Sequence, residues 1–217
     1  RMTTDGLPRI EPATIADALA GSDAPRPTVV GVLLAGGTSS RFGDRNKLLA
    51  DLDGEALVRH AARTLLNADL SEVVAVLGCE AESVRAALSG FDLRFVTNPA
   101  YDEGLSTSVA RGVEAAAEAD AVLVLPGDMP RVSPATATLL VDAYRADLAT
   151  ALAAAYDGRR GNPVLFDRAH FDALRTVDGD VGGRSVLLES DRSALVDTDD
   201  RGVVADVDTP ADLRRHR

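Results

Sequence analysis

Apolar runs that alternate with segments of helical periodicity dominate the chain between residues 28 and 145. The runs cover residues 28–35, 72–78 and 121–128, and a weaker one covers residues 93–98. A continuous apolar run is typical of a strand that is buried on both faces of a parallel sheet. The alternation predicts a doubly wound α/β fold with right-handed crossovers, in which ligands bind beyond the carboxyl ends of the strands.

The two ends of the chain are less regular. Residues 1–27 are predicted to be an extension that contains a short helix in "PATIADALAG" and a linker in "SDAPRPT", and residues 28–217 a single domain. In the last third, "TALAAAY", "PVLF" and "ALVDT" predict strands, and "VVADVDTPADLRRHR" predicts a strand followed by a helix.

Composition excludes several classes of protein. The net charge of −11 argues against a protein that coats nucleic acid, because such proteins need a basic face. No apolar stretch approaches the ~20 residues of a membrane span, and the N-terminus lacks the pattern of a signal peptide. The lone Cys79 excludes an internal disulfide and a thiolate metal cluster. We expect a cytoplasmic protein that binds neither membrane nor nucleic acid.

The loop "AGGTSSRFGDRNK" follows the first apolar run and contains Lys47, the single lysine of the chain. Gly36 and Gly37 allow the backbone to come close to a ligand and to present its N–H groups. Hydroxyl side chains, Arg41 and Lys47 add donors and positive charge, which suit a polyphosphate. The alternative is an ordinary Gly/Ser turn with a solvated lysine.

Two familiar phosphate-binding loops do not fit this stretch. A Walker A loop ends in Gly-Lys-Ser/Thr, whereas Gly43 is followed by Asp44. The dinucleotide fingerprint requires G-x-G-x-x-G, which the sequence "GGTSSR" breaks. A simple NAD-binding Rossmann module is therefore disfavoured.

The segment "LLAGGTSSRFGDRNKLL" resembles the signature of the MobA-like nucleotidyltransferases. The resemblance implies a Rossmann-like, mostly parallel sheet of the glycosyltransferase-A type, and a loop that holds a nucleoside triphosphate. The spacer before the lysine departs from the pattern, since Asp44 adds a negative charge that we expect to point outward. The nucleotide-binding residues implied here are Leu34, Ala35, Gly36, Gly37, Ser39, Arg41, Gly43 and Lys47.

Carboxylates follow two later segments. Asp128 ends the run "VLVLPGD", and hard cations such as Mg²⁺ prefer oxygen ligands, although a turn aspartate that bonds its own backbone is the alternative. The resemblance places Asp128 and Asp208 on magnesium, with Asp206 as a weaker candidate. On a strand, Asp206 and Asp208 would share one face. Asp212 closes a capping box that begins at Thr209 and is interpreted as structural.

Two further segments concern the nucleoside and the acceptor. Asn98, Gly104, Ser106 and Ser108 match a family motif that contacts the nucleoside or its partner, and a helix start also favours an anion. N-capping by Ser106 is the simpler alternative. The stretch "GRRGNPVLFDRAHFDALRTVDGDVGGRSVLLES" resembles a region of the molybdenum-cofactor cytidylyltransferases. Within it, Gly182, Gly183 and Arg184 of "GDVGGR" could receive an acceptor phosphate, and a Gly-rich hairpin loop is the alternative.

The resemblance implies transfer of a nucleotide from CTP or GTP to a phosphate acceptor such as molybdopterin, with Mg²⁺ as cofactor and Lys47, Arg41 and Asp128 as catalytic residues. A molybdoenzyme or its maturation factors are further candidate partners. The base stays open, because Gly36 matches the guanine-type motif whereas the last third resembles the cytidylyl subgroup. A sugar-phosphate nucleotidyltransferase and a non-catalytic nucleotide-binding accessory protein remain alternatives.

Overall fold

The computed structural model describes residues 6–20, 26–43, 45–177, 179 and 183–216. The strands are β1 (Arg9–Ile10), β2 (Val29–Ala35), β3 (Asp51–Leu52), β4 (Glu55–Ala56), β5 (Glu72–Leu77), β6 (Arg94–Thr97), β7 (Ala121–Pro126), β8 (Ala151–Tyr156), β9 (Arg159–Asp167) and β10 (Ser193–Asp197). The helices are α1 (Pro12–Leu19), α2 (Leu57–Leu66), α3 (Ala81–Ala87), α4 (Leu105–Ala115), α5 (Pro134–Arg145), α6 (Phe171–Thr176), α7 (Arg184–Glu189) and α8 (Pro210–Arg215).

Eight of the strands form one mixed sheet in the order β1-β10-β8-β9-β7-β2-β5-β6, and β3 pairs with β4 in a separate hairpin. All neighbours in the large sheet are parallel except β9, which runs antiparallel to both β7 and β8. The predicted α/β fold with a mostly parallel sheet is therefore confirmed.

Side chains of the central strands alternate between two apolar layers. On β2, Val29 and Leu33 face one layer, whereas Val32 and Leu34 face the other, and all four are buried. Helices α1, α2, α3 and α5 cover the first layer, and α4, α6 and α7 cover the second. This double cover explains why the strands read as continuous apolar runs, and it leaves the carboxyl ends of the strands as the edge where a ligand can enter.

Part of the predicted N-terminal extension is packed onto the main fold. Strand β1 pairs in parallel with β10, and Arg9 forms an ion pair with Asp197 at 2.5 Å. Ile15 on α1 is 1 % exposed and belongs to the first apolar layer. The described part of the extension therefore completes one edge of the sheet, while the domain boundary at residue 28 remains a prediction.

The strand predicted near residue 204 is wrong. Residues Arg201–Val204 form a 3₁₀ turn, and residues 205–208 are irregular. Helix α8 follows as predicted, with a reciprocal capping box between Thr209 and Asp212. Within the residues that the structure describes, no helix is long and apolar enough to cross a membrane.

Candidate active site

A cleft of about 630 Å³ lies at the carboxyl ends of the central strands. Its walls come from the loop after β2, the start of α4, the turn after β7, the first residues of β9 and the irregular segment before α8. These elements are far apart in sequence, and the parallel sheet brings their ends to one edge. The residues that line the cleft include Gly37, Ser39, Arg41, Lys47, Asp128, Arg159, Arg160, Asp206 and Asp208.

Lys47 lies at the centre of the cleft between two carboxylates. Its Nζ is 2.5 Å from Asp128 Oδ2 and 2.9 Å from Asp208 Oδ1, and its side chain is 13 % exposed. Arg41 reaches the other oxygen of Asp208 at 2.8 Å and is itself largely exposed. The structure thus brings the loop lysine together with acids from 81 and 161 residues downstream.

Burial and charge act against each other at this centre. Burial lowers the pKa of Lys47, but the hydrogen bonds and charges of Asp128 and Asp208 outweigh burial and raise it. Burial raises the pKa of Asp128, the nearby charges of Asp206 and Asp208 add to that increase, and Lys47 opposes it. Two carboxylates therefore contact Lys47, one of them also contacts Arg41, and the charge of Asp206 lies nearby.

The loop sequence fixes the backbone of Lys47 through short-range hydrogen bonds. Ser39, at a φ of 57°, accepts from the Lys47 N–H at 3.1 Å through its hydroxyl, which also donates to Asn46 at 3.3 Å. Asn46 caps the 3₁₀ turn Lys47–Leu49 by accepting from the Leu48 N–H at 3.0 Å. These contacts hold the first turn after the loop, so that the lysine side chain enters the cleft.

The glycine-rich loop, which we define as residues 36–43, offers free donors above this turn. In the described part of the chain, the backbone N–H groups of Gly37, Thr38 and Ser40 donate to no acceptor. A Cβ at Gly37 would meet nothing within 4 Å, so this glycine borders open space. Free N–H groups in a concave loop are suited to an anion.

Asp208 lies on a second segment, the acidic arm, which we define as residues 200–208. Asp200 accepts from the Ser133 N–H at 2.7 Å and from the Gly202 N–H at 2.8 Å. The Val207 N–H donates to the carbonyl oxygen of Asp128 at 2.9 Å. The arm is therefore attached directly to the turn that carries the other acidic residue of the centre.

Most predicted nucleotide-binding residues border the cleft. Four do not, namely Ala35, Gly43, Asn98 and Ser106. Asn98 is 3 % exposed and donates to Thr107 at 2.9 Å and Ser108 at 3.0 Å, so it supports the start of α4 from behind. The roles proposed for the predicted residues stay predictions. Residues Asp44 and Gly182 lie outside the described residues.

The acceptor side differs from the sequence-based expectation. Arg184 begins α7 and is exposed, but it does not border the cleft. Arg159 and Arg160 border it instead, and sequence analysis missed them. The sequence feature that could have indicated them is the pair of adjacent arginines directly after Gly158. One sequence alone does not show, however, that the β8–β9 hairpin shares a cleft with Asp128.

Comparison with known proteins gives a family match. Residues 31–194 match the MobA-like NTP transferase domain.

The chain belongs to this family.

Two relatives of this MobA-like protein carry different functional names. The nicotine blue oxidoreductase of Paenarthrobacter nicotinovorans is 34% identical over 200 residues, which are 89% of this chain and 98% of the relative. A probable molybdenum cofactor guanylyltransferase of Natronomonas pharaonis is 30% identical over 201 residues, 86% of this chain and 96% of the relative.

Solved structures of similar proteins include a nucleotidyl transferase from Methanothermobacter thermautotroptrophicus, with a TM-score of 0.77 and 28% identity over 88% of this chain and 96% of that one. Rv0371c of Mycobacterium tuberculosis in complex with manganese has a TM-score of 0.67 and 26% identity, over 87% of this chain and 97% of that one. One structural neighbour of this MobA-like chain is therefore a nucleotidyl transferase, and another was solved in complex with manganese.

Proposed function

We propose that this MobA-like protein transfers a nucleoside monophosphate from CTP or GTP to a phosphate acceptor and releases pyrophosphate. The observation that carries the proposal is the contact of Lys47 with both Asp128 and Asp208 below a loop with free N–H donors. Molybdopterin is the first candidate acceptor, because a relative that is 30% identical is named a molybdenum cofactor guanylyltransferase.

The transfer is a direct displacement. An acceptor phosphate oxygen bonds to the α-phosphorus, and the bond from that phosphorus to the bridging oxygen of the β-phosphate breaks. Pyrophosphate leaves with the bonding electrons, and no covalent enzyme intermediate forms. The acceptor phosphate is already ionised, so the protein positions the reactants and neutralises charge. Lys47 and Arg41 would stabilise the charge that grows on pyrophosphate.

The carboxylates fit a divalent cation that the nucleotide brings with it. Among the described residues, no group of three or more His, Cys, Asp or Glu side chains can hold a metal ion by itself. Mg²⁺ is commonly held by one or two carboxylates together with substrate phosphates, which matches Asp128 and Asp208. When bound, the cation would polarise the α-phosphate. Mg²⁺ rather than another divalent ion remains part of the proposal, since the related Rv0371c structure contains manganese.

A second candidate function is an oxidoreductase, favoured by the relative named nicotine blue oxidoreductase, which is 34% identical over 98% of its length. The contact of Lys47 with two carboxylates supports the transferase more directly. Nucleotidyl transfer needs carboxylates to hold a divalent cation and a positive side chain to stabilise the leaving pyrophosphate. A sugar-phosphate acceptor and nucleotide binding without turnover are further alternatives.

Pyrophosphate release tests the proposal. The purified chain is incubated with each of ATP, CTP, GTP and UTP, Mg²⁺ and molybdopterin or a sugar phosphate. We expect release with CTP or GTP that requires the acceptor and is lost in Asp208→Asn. Asp199→Asn is the matched control, because Asp199 is exposed and lies just outside the acidic arm and the cleft.

The outcomes separate the candidates. Nucleotide binding without pyrophosphate release would contradict turnover and favour an accessory protein. Acceptor-dependent oxidation of NADH or NADPH, in the absence of any nucleotide transfer, would favour the oxidoreductase. Release that depends on the acceptor but not on Asp208 would show that the proposed centre is not the reacting one.

A further inference from the structure

Two arginines of β9 border the cleft on the side opposite the glycine-rich loop. Strand β9 is antiparallel and begins directly after β8, at a tight turn of Asp157 and Gly158 that has positive φ values of 49° and 73°. Its first residues therefore lie beside the carboxyl ends of its parallel neighbours. This topology places Arg159 and Arg160 at the cleft rather than at the far edge of the sheet.

The sheet order separates the basic side chains of the cleft into two groups. Arg41 and Lys47 follow β2, whereas Arg159 and Arg160 begin β9. Strand β7, which ends next to Asp128, lies between β2 and β9. Two pairs of cations therefore flank the acidic centre, one on each side.

Arg159 differs from Lys47 and Arg41 in its ion-pair partners. Lys47 and Arg41 are both engaged by the acids of the centre. Arg159 is exposed, and within the described chain it forms no ion pair and no side-chain hydrogen bond. In a chain with net charge −11, other acids are abundant, so an arginine in the cleft without one is available to an anionic ligand.

We infer that Arg159 and Arg160 bind the phosphate of the acceptor. The inference rests on the proposed function. The triphosphate would lie on the side of the glycine-rich loop, and the acceptor phosphate on the side of β9. A guanidinium presents a planar fork that matches two phosphate oxygens, which leaves a third oxygen for attack on the α-phosphorus.

Binding rather than turnover tests this subsite. Phenyl phosphate is titrated by calorimetry into the chain with Mg²⁺, in the presence and absence of the α,β-methylene analogue of CTP or GTP, and phenol serves as the uncharged probe. We expect phenyl phosphate to bind with the analogue present, and its affinity to fall at least ~10-fold in Arg159→Gln and further when Arg160→Gln is added, the scale of lost charge-assisted hydrogen bonds. Affinity for the analogue should stay within twofold.

The controls address folding and generic charge. Arg175→Gln removes an arginine that forms an ion pair with Asp172 on the same helix, away from the cleft, and this variant should bind phenyl phosphate like the wild type. Arg159→Lys keeps a charge without the fork and should retain part of the affinity. Thermal unfolding of each variant is measured alongside, so that a misfolded variant is recognised.

Unchanged phenyl phosphate affinity in the double variant would overturn the inference, as would absence of binding to the wild type. A loss of analogue binding with phenyl phosphate binding retained would instead place these arginines on the triphosphate, and would also overturn it. Failure of all four nucleotides to react contradicts the proposed function but leaves the phosphate titration readable, so the two failures are distinguishable.

Discussion

The glycine-rich loop and the acidic arm meet where Arg41, and Lys47 just after the loop, contact Asp208, but the two regions are held very differently. Four of the five residues from 37 to 41 are exposed, and several N–H groups of that loop have no acceptor within the described chain. The arm is fastened by the three acceptor contacts of Asp200 and by the bond from Val207 to Asp128. Hydrogen bonds within the protein therefore hold the acidic arm in place, whereas the glycine-rich loop has fewer such bonds.

The space around the glycines also differs between the acidic arm and the glycine-rich loop. A Cβ at Gly202 would lie 2.1 Å from the Arg131 carbonyl oxygen, and one at Gly161 would lie 1.9 Å from that of Val203. A Cβ at Gly37 would contact nothing. The difference teaches that the carboxylates are preorganised by packing, whereas the loop keeps its donors free for a ligand.

The largest expected effect is at the residue that joins the two regions. Lys47→Ala should lower turnover at least ~10²-fold, the scale for loss of one preorganised donor. The measurement is the rate of pyrophosphate release. Arg45→Ala is the matched control, since Arg45 is an exposed cation near Lys47 that does not border the cleft. Near-normal turnover of Lys47→Ala would show that Lys47 does not contribute to catalysis.

Gly202→Ala should damage the arm. Because the new methyl group would collide with a backbone oxygen, we expect the free energy of unfolding to fall by ~1–3 kcal/mol, as for other overpacked sites. Asp208 should shift with the arm, so turnover should also fall. Urea unfolding together with pyrophosphate release checks both. Wild-type stability would mean that the arm is as adaptable as the loop.

Gly37→Ala should leave stability nearly unchanged but weaken nucleotide binding. Its side chain would border open space, so the free energy of unfolding should stay within about 0.5 kcal/mol of the wild type. Nucleotide binding should weaken ~10-fold, because the methyl group would stand between the backbone donors and the phosphates. Calorimetry with the nucleotide analogue measures the loss. A stability loss as large as that of Gly202→Ala would erase the contrast between the regions.

The smallest expected effect concerns Glu55, which lies outside both the glycine-rich loop and the acidic arm. Hydrogen bonds from Arg63 hold the pKa of Glu55 down at about 2, against its usual 4.5. A carboxyl whose pKa is lower in the folded chain stabilises it above pH 4.5, and that contribution is lost as the pH falls toward 2. Glu55→Gln should therefore flatten the pH dependence of unfolding between these values while leaving turnover at neutral pH unchanged. An unchanged dependence of unfolding on pH between 2 and 4.5 would contradict the pairing of Glu55 with Arg63.

The fold and the central residues could be predicted because their signals are local. Apolar runs such as residues 121–128 require burial on both faces, and the pattern around Lys47 is contiguous in the chain. The strand predicted before Asp208 was wrong because "VVADV" is apolar enough for a strand. In the structure, Asp200 and Gly202 bind it to α5 and to the turn after β7 instead, so tertiary contacts overrode the local preference.

The acceptor side could not be predicted for a related reason. The glycines and the arginine of "GDVGGR" indicated a phosphate site, whereas the resemblance assigned no role to the arginines at residues 159 and 160. Their position at the cleft depends on β9 lying antiparallel between β7 and β8, a choice of neighbours that a strand sequence does not encode.

By itself, the sequence determined the alternation of strands and helices, the edge of the sheet at which a ligand enters, and the loop that carries the single lysine, because burial and backbone freedom are properties of neighbouring residues. Only the tertiary structure decided which distant acids face Lys47, which arginines share the cleft with them, and that part of the N-terminal segment completes the sheet. Those outcomes depend on strand order and on contacts between residues up to 161 positions apart, which no local pattern specifies.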